Sequence, residues 1–186
     1  MSRCETARLG RRVSPNAFTR RGPLVLVICT ANRGRSPLLE AILKRALAGI
    51  DTGRCLVESA GLCTHELERT GWLADDATLE VAARHGLDLT SHRARPLNLA
   101  LVRRANLVIT MESWQSEVLR LVVPEHPRKF VTMRQLSGGT SDIDTPDFAG
   151  CPVETVEQFY ADAQVCISAA FESGPLADLL LSARDQ

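Results

Sequence analysis

The sequence predicts an α/β fold, a four-stranded parallel sheet with helices on both faces. Two observations lead there. Short apolar runs recur along the chain, and "LVLVIC" (24–29) is apolar on both faces. Between them lie segments with helical periodicity, with no internal repeat and no low-complexity block. A strand apolar on both faces needs cover on both faces, which alternating helices supply. A chain of 186 residues is long enough for one sizeable core.

The elements follow in order. After strand 24–29 comes "SPLLEAILKRALAG", with Ser36 as N-cap, Pro37 at the first helical position and Gly49 at the end. "CLVESAG" (55–61) is a second strand closing on glycine. A polar loop from Leu62 to about Ala74 leads to helix "DDATLEVAARHG", with acids at its start and Gly86 as its stop. "ANLVITM" (105–111) is a third strand, and "ESWQSEVLRLVV" a helix ended by Pro124. "KFVTM" (129–133) is a short fourth strand, and a Gly-, Asp- and Pro-rich loop runs from Ser137 to Pro152. A final helix covers 153–171. The expected organisation is a disordered N-terminal tail over 1–23, a domain over 24–172 and a C-terminal tail over 173–186.

Composition bounds the partners. Formal charge is zero, so net charge gives no reason to expect nucleic acid or a membrane surface. No run approaches the roughly eighteen apolar residues of a membrane span. Residues 1–23 carry six Arg against Glu5 alone, without an apolar stretch suited to a secretory signal. Six cysteines are spread without CxxC pairs, which fits a reducing cytoplasm. We expect no metal, no cofactor, and a monomer or weak homo-oligomer.

The chemistry concentrates in "CTANRGRS", residues 29–36. It joins the end of a strand to a helix N-terminus, where unpaired N–H groups and the helix dipole favour an anion. A turn eased by Gly34 aims the backbone N–H groups of Thr30, Ala31, Asn32, Arg33, Gly34, Arg35 and Ser36 around phosphate oxygens. Arg35 can fork onto two of those oxygens in a way lysine cannot. A thiolate at Cys29, under the bound phosphate, is placed for in-line attack on phosphorus. Cys63 and Arg69 in "CTHELER" repeat the spacing and serve as an internal control. That stretch carries two glutamates, lacks glycine and opens no capped helix, so Cys63 reads as structural or incidental. A Walker-type nucleotide loop is excluded because its Gly-Lys-Ser/Thr ending is absent.

Cys29, Asn32, Arg35, Ser36 and Pro37 resemble, in register, the signature of the low-molecular-weight protein tyrosine phosphatases. The likeness continues through "ESAG" (58–61), "ARHGLDLTSHRARPL" (83–97) and "ANLVITME" (105–112). The resemblance implies metal-free hydrolysis of phosphate monoesters through a cysteinyl-phosphate. Cys29 would be the nucleophile and Arg35 the phosphate clamp, with Asn32, Ser36, Ser59 and His92 bracing the loop. The substrate would be a phosphorylated protein or a small phosphomonoester.

Three departures from that pattern matter. Gly34 stands where many relatives carry a second, protective cysteine. The family's acid lies in an Asp-Pro pair, but "SDIDTPDFAG" (141–150) has none. Asp147 is favoured as the acid over Asp144, because "PDF" keeps an acid followed by an aromatic. The pocket wall looks poor in aromatics, offering His65 and Phe148, while Arg33 replaces a residue that is often apolar or threonine. A second negative group on the substrate, such as that of a small anionic metabolite, would suit Arg33. Two other functions stay open: a phosphate-binding module without turnover, and a thiol-coupled arsenate reductase. The latter is disfavoured because no cysteine lies between Thr64 and Gly150.

Overall fold

The computed structural model describes residues 22–50, 55–137 and 144–184. The expected tail over 1–23 falls almost wholly outside them. Four strands form one parallel sheet: β1 (Leu24–Cys29), β2 (Leu56–Gly61), β3 (Leu107–Thr110) and β4 (Phe130–Thr132). Their spatial order is β2-β1-β3-β4. Strand β1 pairs with β2 from Leu24↔Leu56 to Cys29↔Gly61, and with β3 from Val25↔Leu107 to Ile28↔Thr110. The chain therefore leaves β1 towards one side and later returns on the other. That reversal puts a crevice at the carboxyl end of β1, where parallel sheets bind their ligands.

All six residues of β1 are buried because each face meets its own layer. Val25, Val27 and Cys29 join a core with residues of α1 (Arg35–Ala48), α2 (Asp76–Arg84) and α5 (Val153–Ser173). Leu24, Leu26 and Ile28 join a smaller core with residues of α3 (Leu99–Arg104) and α4 (Ser113–Val122). The period of two along a strand sorts alternate side chains to opposite faces. Lys129 is buried at the rim of the second core, and its Nζ donates to the carbonyls of Val102, Arg103 and Ala105. Burial pushes this amine below the usual lysine range, against a raising influence from Glu125.

Three expectations need correction. Helix α1 begins at Arg35 with Gly34 as its N-cap, because the Ser36 hydroxyl is committed to the loop beneath it. Helix α3 is additional to the expected elements, since six residues are too few to show a period; the Asn98 side chain caps it by accepting from Ala100 N. The expected C-terminal tail is instead helix α6 (Pro175–Arg184), packed on α5. Its Leu176 is fully buried in the larger core.

Leu176 therefore supplies a test of that correction. Leu176→Ala should destabilise the protein by about 2–4 kcal/mol, the range for a leucine truncated in a packed core. Thermal unfolding measures it, and a change within about 0.5 kcal/mol would mark the segment as a surface tail.

Candidate active site

The phosphate-loop candidate, residues 29–36, is held from behind and below. The carbonyls of Cys29 and Thr30 accept from Leu62 N and Cys63 N, both at 2.9 Å. Gly61 permits this approach: a Cβ there would lie 2.8 Å from Thr30 O and 2.9 Å from the carbonyl carbon of Ala31. Asn32 adopts a left-handed conformation, φ 56°, which asparagine tolerates better than most side chains. Its buried amide is fully engaged. Nδ2 donates to Ser36 Oγ and Ser59 Oγ, each at 2.9 Å, and Oδ1 accepts from Arg95 N at 3.0 Å. The Asn32 carbonyl accepts from His92 Nε2 at 2.8 Å, so that nitrogen carries the proton.

Two donors converge on the thiol. Asn32 N–H lies 3.3 Å from Cys29 Sγ, and Ser36 Oγ lies 3.0 Å away. Ser36 already accepts from Asn32, which leaves its own proton free to point at sulfur. Such an arrangement suits a sulfur bearing negative charge. The N–H groups of Thr30, Ala31, Arg33, Gly34, Arg35 and Ser36 have no acceptor among the described residues. Six unpaired donors at a helix N-terminus are an anion site in waiting.

Arg35 is 2% exposed, and its guanidinium is fixed before any ligand arrives. Nη1 donates to Glu112 Oε1 at 2.7 Å and to Thr145 O at 2.9 Å. Nη2 lies 3.4 Å from Thr30 Oγ1 and 3.3 Å from Asp147 Oδ1. Glu112 is itself oriented, with Oε2 accepting from Trp114 Nε1 at 2.8 Å and Oε1 from Gln115 Nε2 at 3.2 Å. Neither Glu112 nor Gln115 is a site residue by sequence reading alone. The available signal is position: Glu112 closes "ANLVITME" and starts α4, beside the crevice.

The two acid candidates separate clearly. Asp144 Oδ1 accepts from Ser113 N at 2.6 Å and Ser113 Oγ at 2.7 Å, which ties it to the start of α4. Asp147 stands at the mouth with its side chain 58% exposed, 3.3 Å from Arg35 Nη2. Phe148 does not line the wall as expected. It is buried, meeting Phe159 edge-on at 5.2 Å between ring centroids. Its ring lies against Gly34, where a Cβ would come 2.6 Å from Phe148 Cε2 and 2.9 Å from Asp75 Oδ2. The rim is also richer in aromatics than expected, because Trp72 and Trp114 are both exposed. Trp72 sits in the loop after β2, with Arg33 Cζ 5.0 Å from its ring centroid. Trp114 follows β3. Arg33 is not a free arm, since its Nε donates to Leu73 O at 2.8 Å.

Cys63 stands in a different setting from Cys29. Burial, and then the Glu66 carboxylate, push its thiol up, away from the thiolate, and its backbone serves to pin Thr30. Among the described residues no three His, Cys, Asp or Glu side chains are grouped to hold a metal ion. No helix there is long and apolar enough to cross a membrane.

The model of the low molecular weight phosphotyrosine protein phosphatase family matches residues 24–163, which span the sheet, the loop and both acid candidates. The chain belongs to this family. It is 37% identical over 123 residues, 66% of this chain and 77% of the relative, to the probable low molecular weight protein-tyrosine-phosphatase EpsP of Ralstonia solanacearum. Among solved structures it resembles Vibrio vulnificus Wzb in complex with benzylphosphonate, at 27% identity and TM-score 0.70, covering 82% of this chain and 99% of that one. The YwlE arginine phosphatase from Geobacillus stearothermophilus matches at 25% identity and TM-score 0.70, covering 81% and 91%. This chain is thus a cysteine-based phosphatase on the family's four-stranded parallel sheet.

The loop geometry generates two predictions. Asn32→Ala removes three side-chain hydrogen bonds and should lower kcat/KM for p-nitrophenyl phosphate about 100-fold, through misplaced loop donors. A loss under about twofold would show that the loop holds its shape without the amide. Gly34→Ala should destabilise by about 1–3 kcal/mol through the clash with Phe148. Phe148→Ala, costly alone, should add much less in the Gly34→Ala background. Strict additivity in thermal unfolding would show that the two positions do not press on each other.

Proposed function

We propose that the chain hydrolyses phosphotyrosine in protein segments, with Cys29 as nucleophile, Arg35 as phosphate clamp and Asp147 as general acid and base. One observation carries the proposal: Cys29 Sγ lies at the base of a loop with six unpartnered N–H groups, beside an arginine already locked in place. The phosphoryl oxygens take the N–H groups of residues 30–36 and the remaining guanidinium hydrogens of Arg35. Sulfur attacks phosphorus in line, the bond to the phenolic oxygen breaks, and Asp147 gives that oxygen its proton. Water then attacks the cysteinyl-phosphate and loses its proton to Asp147. Phosphate departs, and the thiolate is again met by Ser36 and Asn32 N–H. Glu112, Ser59 and His92 act by positioning. A nucleophile that works only as a free thiol supports a cytoplasmic setting.

An aryl substrate follows from the exposed indoles. Strand order places the loop after β2, with Trp72, and the start of α4, with Trp114, on opposite sides of the Cys29 loop. Each aromatic contact is worth about 1 kcal/mol to a tyrosine ring. Asp144 takes the part of a clasp between its loop and α4.

Kinetics of point variants test these roles together. Cys29→Ser should cut p-nitrophenyl phosphate turnover by at least about 1,000-fold, and Cys63→Ser should stay within about twofold. In kcat/KM, which reads only the steps up to the cysteinyl-phosphate, Asp147→Asn should slow phenyl phosphate about 100-fold and p-nitrophenyl phosphate far less, because nitrophenolate leaves without a proton. Asp144→Asn should lower thermal stability more than turnover. Equal losses on both esters in Asp147→Asn would remove that residue from the acid role.

A further inference from the structure

Two arginines converge on one exposed indole beside the phosphate loop. Arg69 Cζ lies 3.9 Å from the Trp72 ring centroid, and Arg33 Cζ lies 5.0 Å from it. Among the described residues, neither guanidinium has an ion-pair partner, although Glu66 and Glu68 stand on the same loop. Arg35, Arg84, Arg95, Arg104 and Arg134 each meet a carboxylate, whereas these two, stacked on one indole beside the phosphate loop, do not.

The cluster is also preformed. Trp72 N donates to Arg69 O at 3.0 Å, and Trp72 O accepts from Ala94 N at 2.8 Å. Arg69 N donates to Thr64 O at 2.9 Å, and Gly71 N to Ala94 O at 2.7 Å. Arg33 is anchored through Nε on Leu73 O, which leaves its two terminal nitrogens without an acceptor among the described residues. Stacking on indole holds a guanidinium by its face and keeps its hydrogen-bonding edge outward. Two like charges held this way repel each other, and an anion seated at their edges relieves the repulsion.

We propose that Arg33, Arg69 and Trp72 form an anion subsite that selects phosphotyrosine segments with an acidic residue beside the phosphotyrosine. This rests on the phosphatase reading above and names the substrate class within it. The anion comes from a peptide rather than a small metabolite because the rim is wide. Indoles stand on both sides of the loop, and α4 continues from Trp114 into exposed Val118, Leu121 and Val122. A small anionic phosphomonoester would leave that surface unused, whereas a peptide segment crosses it. The carboxylate of a flanking Asp or Glu forks onto the edges of Arg33 and Arg69 while the phosphate occupies the loop.

The test is a matched pair of phosphotyrosine peptides, one with Glu on both sides of the phosphotyrosine and one with Gln there. For the full chain at low salt, kcat/KM should favour the acidic peptide about 5- to 10-fold, and raised salt should shrink the preference. Arg69→Gln should bring the ratio within about twofold, and Arg33→Gln should act in the same direction. No preference in the unmodified chain, or a preference that survives both substitutions, would overturn the subsite. Binding of the same peptides to the Cys29→Ser protein, followed by calorimetry, reads the subsite without turnover. Selective binding without hydrolysis in the unmodified chain would sink the phosphatase reading and leave the subsite standing. Hydrolysis of p-nitrophenyl phosphate with no discrimination would do the reverse.

Discussion

The buried amide of Asn32 is the joint on which the site depends. A non-glycine residue in the left-handed region is strained, typically by about 1–2 kcal/mol, and persists only where its surroundings hold it. Here they hold it from four directions: Ser36 on α1, Ser59 on β2, Arg95 N, and His92 Nε2 at the carbonyl. The reversed backbone at Asn32 turns its N–H towards Cys29 Sγ and lets the following residues turn theirs outward. One side chain thus couples the shape of the loop to strand β2 and to the 92–95 segment, neither of which touches the sulfur.

That coupling needs the sheet beneath it. Because β1 pairs with β2 on one side and β3 on the other, the Cys29 loop emerges between two neighbouring loops. The β2 side supplies Ser59, the Gly61 surface and the Trp72 rim; the β3 side supplies Glu112 and Gln115. The acid loop is stitched to the same edge, with Thr145 N donating to Met111 O and Thr145 O accepting from Arg35. Gly34 adds the closing contact, since the ring of Phe148 lies in the space a side chain at 34 would need. Asp147 and Cys29 are therefore positioned by one connected body of hydrogen bonds and packing.

Much of this was legible in the sequence, for definite reasons. The apolar runs pointed to all four strands, most plainly β1, whose burial on both faces leaves no polar position to confuse the pattern. The "CTANRGRS" stretch exposed the loop, because its constraints are local. What escaped was short or tertiary. Helix α3 has too few residues for a period, and α6 is set by Leu176 packing against distant elements. The Glu112 clamp on Arg35 joins residues 77 positions apart, and no spacing rule reaches that far. The rim was misread because Phe148 is aromatic but buried, while Trp72 lies in a loop whose course only the fold determines. The different settings of Asp144, tied to Ser113, and Asp147, near Arg35, likewise come from the fold, since both sit in one turn-forming stretch.

Charge accounting explains why the rim matters to such a site. Arg35 is already paired with Glu112 and approached by Asp147, so its positive charge is largely answered before a phosphate arrives. The attraction left for a dianionic phosphate comes from the loop N–H groups and the α1 dipole, which act over the first turn only. The whole chain carries no net charge, so it exerts no long-range pull on an anion. Uncompensated positive charge near the mouth must then come from residues such as Arg33 and Arg69, which lie on the rim without carboxylate partners among the described residues. A buried arginine neutralised in advance fixes geometry, and in the proposed subsite the exposed pair would supply the attraction. Orientation and attraction would then fall to different sets of arginines, one buried and paired, the other exposed and unpaired.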